Sequence, residues 1–188
     1  MLTTGKSAPP KEPTYDRILA TASAQILKKG IRDTSLADIA KSIKISKGTL
    51  YYHFRSKDSL IEEIARKNFE EAAERIVLGL RDLKAKKGSD IVGVTLTALT
   101  SEPQNAKLLH FIWLEILTGN RKLGFKIIKI FQQTKDTITT ALLPFCKTKE
   151  DAQLLSGMII ALAEGINLGD MLGTNELEAS EVVKFLKV

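Results

Sequence analysis

The chain has 188 residues, 44% hydrophobic and 27% charged, enough to bury one large domain or one small and one medium domain. Its single cysteine, Cys146, excludes an internal disulfide framework and fits a reducing compartment. The net charge of +6 is unevenly placed: residues 1–55 hold ten Lys/Arg against four Asp/Glu, and the rest carry 18 of each sign. A basic head on a neutral body suits a polyanion-binding module joined to a separate core, although a solvated basic surface has the same charge.

Residues 1–13 hold three prolines among small polar residues and read as a flexible arm. No apolar run follows Lys6, so the arm is not a signal peptide. A helix is predicted from about Tyr15 to Lys29, with Ile18, Leu19, Ala22, Ile26 and Leu27 on one stripe and Gly30 as its stop. Ser35 can cap a short helix whose Leu36, Ile39, Ala40 and Ile43 share one face, with Asp38 at the third position as a weak capping box. After a turn of about four residues, Ser46 can cap another helix with Leu50 and Phe54 inward. Ser56 opens a long helix to about Leu83, carrying Leu60, Ile61, Ile64, Ala65, Phe69, Ala72, Ala73, Ile76, Val77 and Leu80.

A short helix is expected between Gly88 and Pro103, then one over Leu108–Leu117 that is apolar nearly all round and so should be buried. Helices at about 122–143, from a Thr148 cap to Leu172, and at about 177–187 complete the chain. The longest uncharged stretch, Ala152 to Ala163, is too short to span a bilayer, so a cytoplasmic protein with no membrane partner is expected. The fold class is all-α, with about nine helices: a small three-helix domain over 14–56 and a larger helical domain over 57–188.

Two short helices joined by a tight turn, each with an apolar inner face, make a helix-turn-helix, which lays its second helix in the DNA major groove. The outward residues of that helix are Lys47, Gly48, Thr49, Tyr51, Tyr52 and His53. Gly48 permits close backbone approach, and Thr49 offers a hydroxyl and a methyl to base edges. The Tyr51 and Tyr52 hydroxyls can reach phosphate, although one of the two rings can instead pack inward. Ser46 with the amides at the helix start favours a phosphate, His53 has a phosphate or structural role, and Lys57 adds a charge. Ser35 and these residues form the candidate contact set for double-stranded DNA.

The stretch from Arg17 to Leu60 resembles the TetR family of regulators. It carries Ile18-Leu19-x-x-Ala22, Lys29-Gly30, Ser35, Ile39-Ala40, the run Ile45-Ser46-Lys47-Gly48-Thr49-Leu50-Tyr51-Tyr52-His53-Phe54, and Ser56-Lys57-x-x-Leu60. The resemblance departs at Lys44, where the family usually has glycine in the turn. If that turn needs positive φ, lysine costs on the order of 1 kcal/mol there.

Gly157, Ala161, Gly165, Gly169 and Gly173 recur at four-residue spacing, a row of small residues that lets another helix approach closely. The resemblance implies that the last two long helices pair with their counterparts in a homodimer, with Gly157, Ala161, Gly165, Leu168 and Gly169 at the interface. Close packing within one chain is the alternative. A dimer would place two reading helices about 34 Å apart on a palindrome. Leu109, Phe111, Ile112, Trp113, Ile116, Phe125, Ile128 and Phe131 exceed what one helix face requires, and either line a cavity or fill a core. The candidate effector pocket comprises His110, Phe111, Trp113, Leu114, Leu117, Phe131 and Asn167, for an apolar or amphipathic small molecule.

The leading reading is a ligand-responsive repressor that uses no cofactor. Its rivals are an architectural or partner-binding protein without an effector, and a helical enzyme. Against the enzyme, the sequence has no metal-ligand cluster, no phosphate-cradling loop and no close Cys/His pair, although His110 and Cys146 can meet in space.

Overall fold

The computed structural model describes residues 13–83, 88–174 and 177–186, so the arm expected over 1–13 lies almost wholly outside the described residues. Among these, the regular elements are nine α-helices and a 3-10 turn at Leu143–Phe145. In order they are α1 (Pro13–Lys29), α2 (Leu36–Ser42), α3 (Lys47–His53), α4 (Lys57–Arg81), α5 (Gly88–Thr100), α6 (Pro103–Leu117), α7 (Arg121–Leu142), α8 (Lys149–Leu172) and α9 (Ala179–Phe185). The chain divides into two compact units between Leu60 and Ile61, four residues beyond the boundary read from the sequence.

In the first unit α1 stops at Gly30, whose φ of 82° suits a residue without Cβ. Ser35 caps α2 by accepting from the Asp38 amide at 3.1 Å. The Asp38 carboxylate does not complete a capping box; it goes to Lys29 at 3.3 Å. Leu36, Ile39, Ala40 and Ile43 are buried as one face, with Ile18, Leu19, Ala22 and Ile26 of α1 also buried. Arg17 clamps the end of α2 by donating from Nη2 to Ile43 O at 2.9 Å.

The second unit places α5 against both α8 and α9, with α7 packed on α8. One core cluster joins Ala73, Ile76 and Leu80 of α4, Ile91 and Ala98 of α5, Ile138 and Leu142 of α7, and Ala152 of α8. A second joins Leu96 of α5 to Ile159, Ala163 and Ile166 of α8. Helix α8 begins with a full capping box, in which Thr148 Oγ1 accepts from the Asp151 amide and Asp151 accepts from the Thr148 amide. It ends at Gly173, in the left-handed region at φ 67°. A buried hydroxyl pair, Thr139 and Ser156 at 2.9 Å, crosses from α7 to α8.

Two expectations are corrected. Helix α6 is not buried all round: Leu108 and Ile112 are inside, but Leu114 is 56% and Leu117 82% exposed. Apolarity on every face therefore marks an inner face and an outer apolar one. Helix α8 is also long and apolar enough, by length and composition, to cross a membrane, because the lone Glu164 interrupts the apolar pattern without ending the helix. Its packing against α5, α6 and α7 accounts for the inward half of that apolar surface.

Candidate nucleic-acid interface and effector cavity

Helix α3 is set by its cap. Ser46 Oγ accepts from the Thr49 amide at 3.0 Å and lies 2.8 Å from Thr49 Oγ1. Leu50 and Phe54 are buried beneath it, leaving Lys47, Gly48, Thr49, Tyr51 and Tyr52 on the exposed side. Neither tyrosine packs inward, since Tyr51 is 52% and Tyr52 83% exposed. The outward face thus presents an ammonium, an aliphatic hydroxyl and two phenols around one glycine, donors matched in kind to phosphate oxygens and base edges.

The turn before α3 is built on Lys44, the one described non-glycine residue with positive φ, at 57°. Its amide donates to Lys41 O and that of Ile45 to Ala40 O, so the chain reverses in very few residues. The conformation the family meets with glycine is met here by lysine, as the sequence departure implied.

Three expected contact residues do other work. Lys57 is half-buried, and its Nζ donates to Ile31 O at 3.0 Å and Arg32 O at 3.3 Å. Those bonds tie the first turn of α4 to the α1–α2 loop, so the Lys57 ammonium, expected as a charge for DNA, has a structural role in the free chain. His53 sits half-buried between rings, edge-on to Tyr52 at 5.3 Å and to Tyr15 at 6.3 Å, while Tyr15 stacks on Phe54 at 5.4 Å. Ser35 is exposed but committed to capping α2. The Asp38 carboxyl is held below the ordinary range by the Ser35 hydrogen bond first, then by Lys29.

The second unit encloses a cavity of about 60 Å³ between α4, α5, α6, α7 and α8. Its apolar wall includes Phe69, Leu99, Leu109, Phe131, Ile138 and Ile160, and its polar wall includes Asn68, Arg75, Glu102, Asn105, Glu164 and Asn167. Of the residues expected to line it, Phe131 and Asn167 do. Trp113 stands one layer back, its ring 5.8 Å from that of Phe131 and 6.3 Å from that of Phe69. His110 is also behind the wall, with Nδ1 2.8 Å from Ala106 O and Nε2 3.4 Å from Glu164. Because a carbonyl only accepts, Nδ1 carries a proton and Nε2 faces the carboxyl. Burial pushes the Glu164 carboxyl above its ordinary range, and His110 pulls part of that back. Phe111 is half-buried outside the lining, and Leu114 and Leu117 point away on the exposed side of α6, so these three are corrected as lining residues.

Asn68, Phe69, Arg75 and Glu164 were missed. Asn68 had a signal: it is the polar interruption in the α4 stripe Ile61, Ile64, Ala65, Phe69, Ala72.

Cys146 does not reach an activating base in this arrangement. It packs with the α4–α7 core cluster, and burial, then the Asp151 charge, raises its thiol pKa. Among the described residues no group of three or more His, Cys, Asp or Glu is placed to hold a metal.

On α8, Leu154, Met158, Ala161, Gly165, Leu168 and Leu172 are all exposed and alternate in steps of four and three. That alternation is a coiled-coil seam along one side of the helix. The four-spaced glycine row crosses it obliquely, because each step of four turns about 40° past a full turn. Ala161 and Gly165 therefore lie within the seam, while Gly157 and Gly169 fall half-buried on opposite flanks, Gly157 beside Lys135 Nζ.

The family model "Bacterial regulatory proteins, tetR family" matches residues 18–64, which run from α1 into α4. Over 51 residues the chain is 39% identical to the HTH-type transcriptional repressor KstR2 of Mycolicibacterium smegmatis, covering 27% of this chain and 25% of that protein. Over 48 residues it is 48% identical to the biofilm operon icaADBC HTH-type negative transcriptional regulator IcaR of Staphylococcus aureus, covering 26% of each. The matched stretch thus spans about a quarter of the length of these curated relatives.

The fold is shared over far more of the chain. The fatty acid degradation regulator FadR from Bacillus halodurans superposes with a TM-score of 0.75 at 17% identity, over 95% of this chain and 94% of that one. A putative transcriptional regulator from Saccharomonospora viridis in complex with choline gives 0.70 at 22% identity, over 93% of both. FadR from Bacillus subtilis in complex with stearoyl-CoA gives 0.73 at 17% identity, over 92% of this chain and 97% of that one. The chain thus carries a domain of the tetR family of bacterial regulatory proteins over residues 18–64 and shares the fold of these solved regulators over nearly all its length.

Proposed function

We propose that the protein is a homodimeric cytoplasmic repressor, which holds a palindromic operator through α3 of each protomer and releases it when a small molecule enters the second unit. One observation carries the DNA reading: α3 is capped by Ser46 and anchored by Leu50, so Lys47, Thr49, Tyr51 and Tyr52 stand outward on a fixed helix. The names of the curated relatives, a repressor and a negative regulator, support the sign of the effect. Two protomers meeting along the α8 seam would bury an apolar stripe that a single chain leaves in water.

The effector reading rests on the cavity, where charged and amide side chains converge on an apolar chamber. At about 60 Å³ it is far below the roughly 300–1,000 Å³ of drug-sized pockets, so a large effector must open the unit as it enters. Opening would shift the protein away from the arrangement that fits DNA. The complexes of structural relatives with choline and stearoyl-CoA support a small-molecule ligand for a protein of this fold.

The test is selection of a binding site from random duplex DNA, followed by titration of wild type and a Thr49→Ala/Tyr51→Ala variant. The expected site is a palindrome, and the variant should bind it at least about tenfold more weakly, the loss of one or two base or phosphate contacts. Unchanged affinity in a folded variant would reject α3 as the reading helix.

A further inference from the structure

The turn between α2 and α3 has its backbone held from several sides. The Lys44 amide donates to Lys41 O at 3.2 Å and the Ile45 amide to Ala40 O at 3.0 Å. Arg17 Nη2, on α1, donates at 2.9 Å to Ile43 O, the carbonyl of the peptide whose nitrogen belongs to Lys44. The Ile43 side chain is itself buried. The positive φ at Lys44 is therefore imposed by its surroundings, and glycine or asparagine would meet it at less cost than lysine does.

Inside the chain nothing offsets that cost. Lys44 is exposed, and its ammonium has no hydrogen-bond or ion-pair partner among the described residues. From Ile39 to Lys57 the sequence has no acidic residue, and the carboxylate of Asp38 just before that run is paired with Lys29. Lys41, Lys44 and Lys47, all exposed, thus stand three apart along the corner from α2 into α3. Like charges gathered there repel one another, a cost that an anion from outside relieves. Backbone strain of this kind persists where it serves function.

We propose that Lys44 is a DNA-backbone contact, whose ammonium pairs with a phosphate on the rim of the groove that α3 enters. This rests on the reading of α3 as the recognition helix and adds a residue to its footprint. Lys44 lies three residues ahead of Lys47, no more than about 11 Å along the chain. A recognition helix meets base edges with its N-terminal residues, so the chain that leads into it crosses the phosphate rim. A lysine there neutralises one phosphate and releases its counterion, whatever the base sequence. The turn gives up stability for DNA affinity.

The experiment measures binding of the full chain to the selected operator and to a random duplex over a range of salt concentrations. Lys44→Gly and Lys44→Asn remove the charge and suit the turn, while Lys44→Arg keeps the charge. In both neutral variants the slope of log affinity against log salt should be shallower by about one for each protomer bound. Affinity for both duplexes should fall by at least about tenfold, because a phosphate contact carries no sequence information. Lys44→Arg should keep the wild-type slope. So should Lys122→Gln, which removes one charge from an exposed lysine of the second unit.

Unchanged slopes in the two neutral variants overturn the proposal. An equal change in Lys122→Gln does so too, by making the effect one of net charge, and a slope lost in Lys44→Arg does so by making it one of conformation. A loss confined to the operator also overturns it, since that is base readout. The Thr49→Ala/Tyr51→Ala variant tests the reading helix separately. If that variant loses affinity while the Lys44 variants keep their slope, the Lys44 contact alone falls. If it binds like wild type while Lys44→Gly loses slope, the α3 reading falls and the phosphate contact stands.

Discussion

The Ser46 hydroxyl oxygen lies 2.8 Å from the hydroxyl of Thr49 while also accepting from the Thr49 amide at 3.0 Å. The cap that starts α3 thus also holds the Thr49 side chain in one orientation. Ser46→Ala should cost about 1 kcal/mol of stability and should also weaken operator binding, because the Thr49 hydroxyl loses its tether. A double-mutant cycle with Thr49→Val, read by DNA affinity, should show clear non-additivity. Strictly additive losses would mean that the two residues act separately.

Lys44 occupies the left-handed region at φ 57°. An L-residue there costs about 1–2 kcal/mol, part of which glycine returns through its greater freedom in the unfolded chain. Lys44→Gly is therefore expected to raise the urea midpoint, by up to about 1 kcal/mol in stability. A lowered midpoint would count against strain at this turn.

Lys57 binds two carbonyls of the α1–α2 loop. Lys57→Met should destabilise the protein by about 1 kcal/mol, yet leave the slope of log affinity against log salt as it was. A slope shallower by about one would return this lysine to the phosphate contacts.

The Asp38 carboxyl has a lowered pKa in the folded chain. Its contribution is complete above the ordinary aspartate range and is lost as pH falls through the lower folded value. Acid titration of stability should show this loss, and Asp38→Asn should flatten that part of the curve. An unchanged acid limb in the variant would assign the transition to other carboxyls.

Gly165 sits in the exposed α8 seam, and a Cβ there would meet nothing within 4 Å in one protomer. Gly165→Leu should therefore strengthen the helix in an isolated chain, by up to about 1 kcal/mol. In a dimer closed along the seam it should overpack, at a cost of about 1–3 kcal/mol. Sedimentation equilibrium should find a weakened dimer with helicity intact; an undiminished dimer would move the interface elsewhere.

The helices were legible wherever a cap or stop is written in local chemistry. Ser35, Ser46 and Thr148 each cap the helix they were expected to cap, and Gly30 and Gly173 each take positive φ at a helix end. The outward face of α3 was equally readable, since it follows from the burial of Leu50 and Phe54. What the sequence hid was the fate of long side chains. Nothing local says that the Lys57 ammonium bends back to a loop 26 residues earlier. The cavity was harder still, because periodicity gives an apolar stripe without saying which end faces a neighbour: Leu114 and Leu117 share their helix with buried Leu108 and Ile112. Asn68, a polar residue inside the α4 stripe, was the one local clue to the chamber.

The hydroxyls of Thr139 and Ser156 form a peg between α7 and α8. Ser156 Oγ donates to Gln153 O within its own helix at 2.9 Å, so Thr139 is the donor across the pair, and sliding either helix by a single turn would take away its acceptor at a cost of about 1–3 kcal/mol. We therefore expect these two helices to travel as one stiff plank, and the yielding that admits a guest to fall on α4, α5 and α6. Hydrogen exchange with and without a bound probe should show protection changing on those three helices, while the amides around the peg keep the same rates.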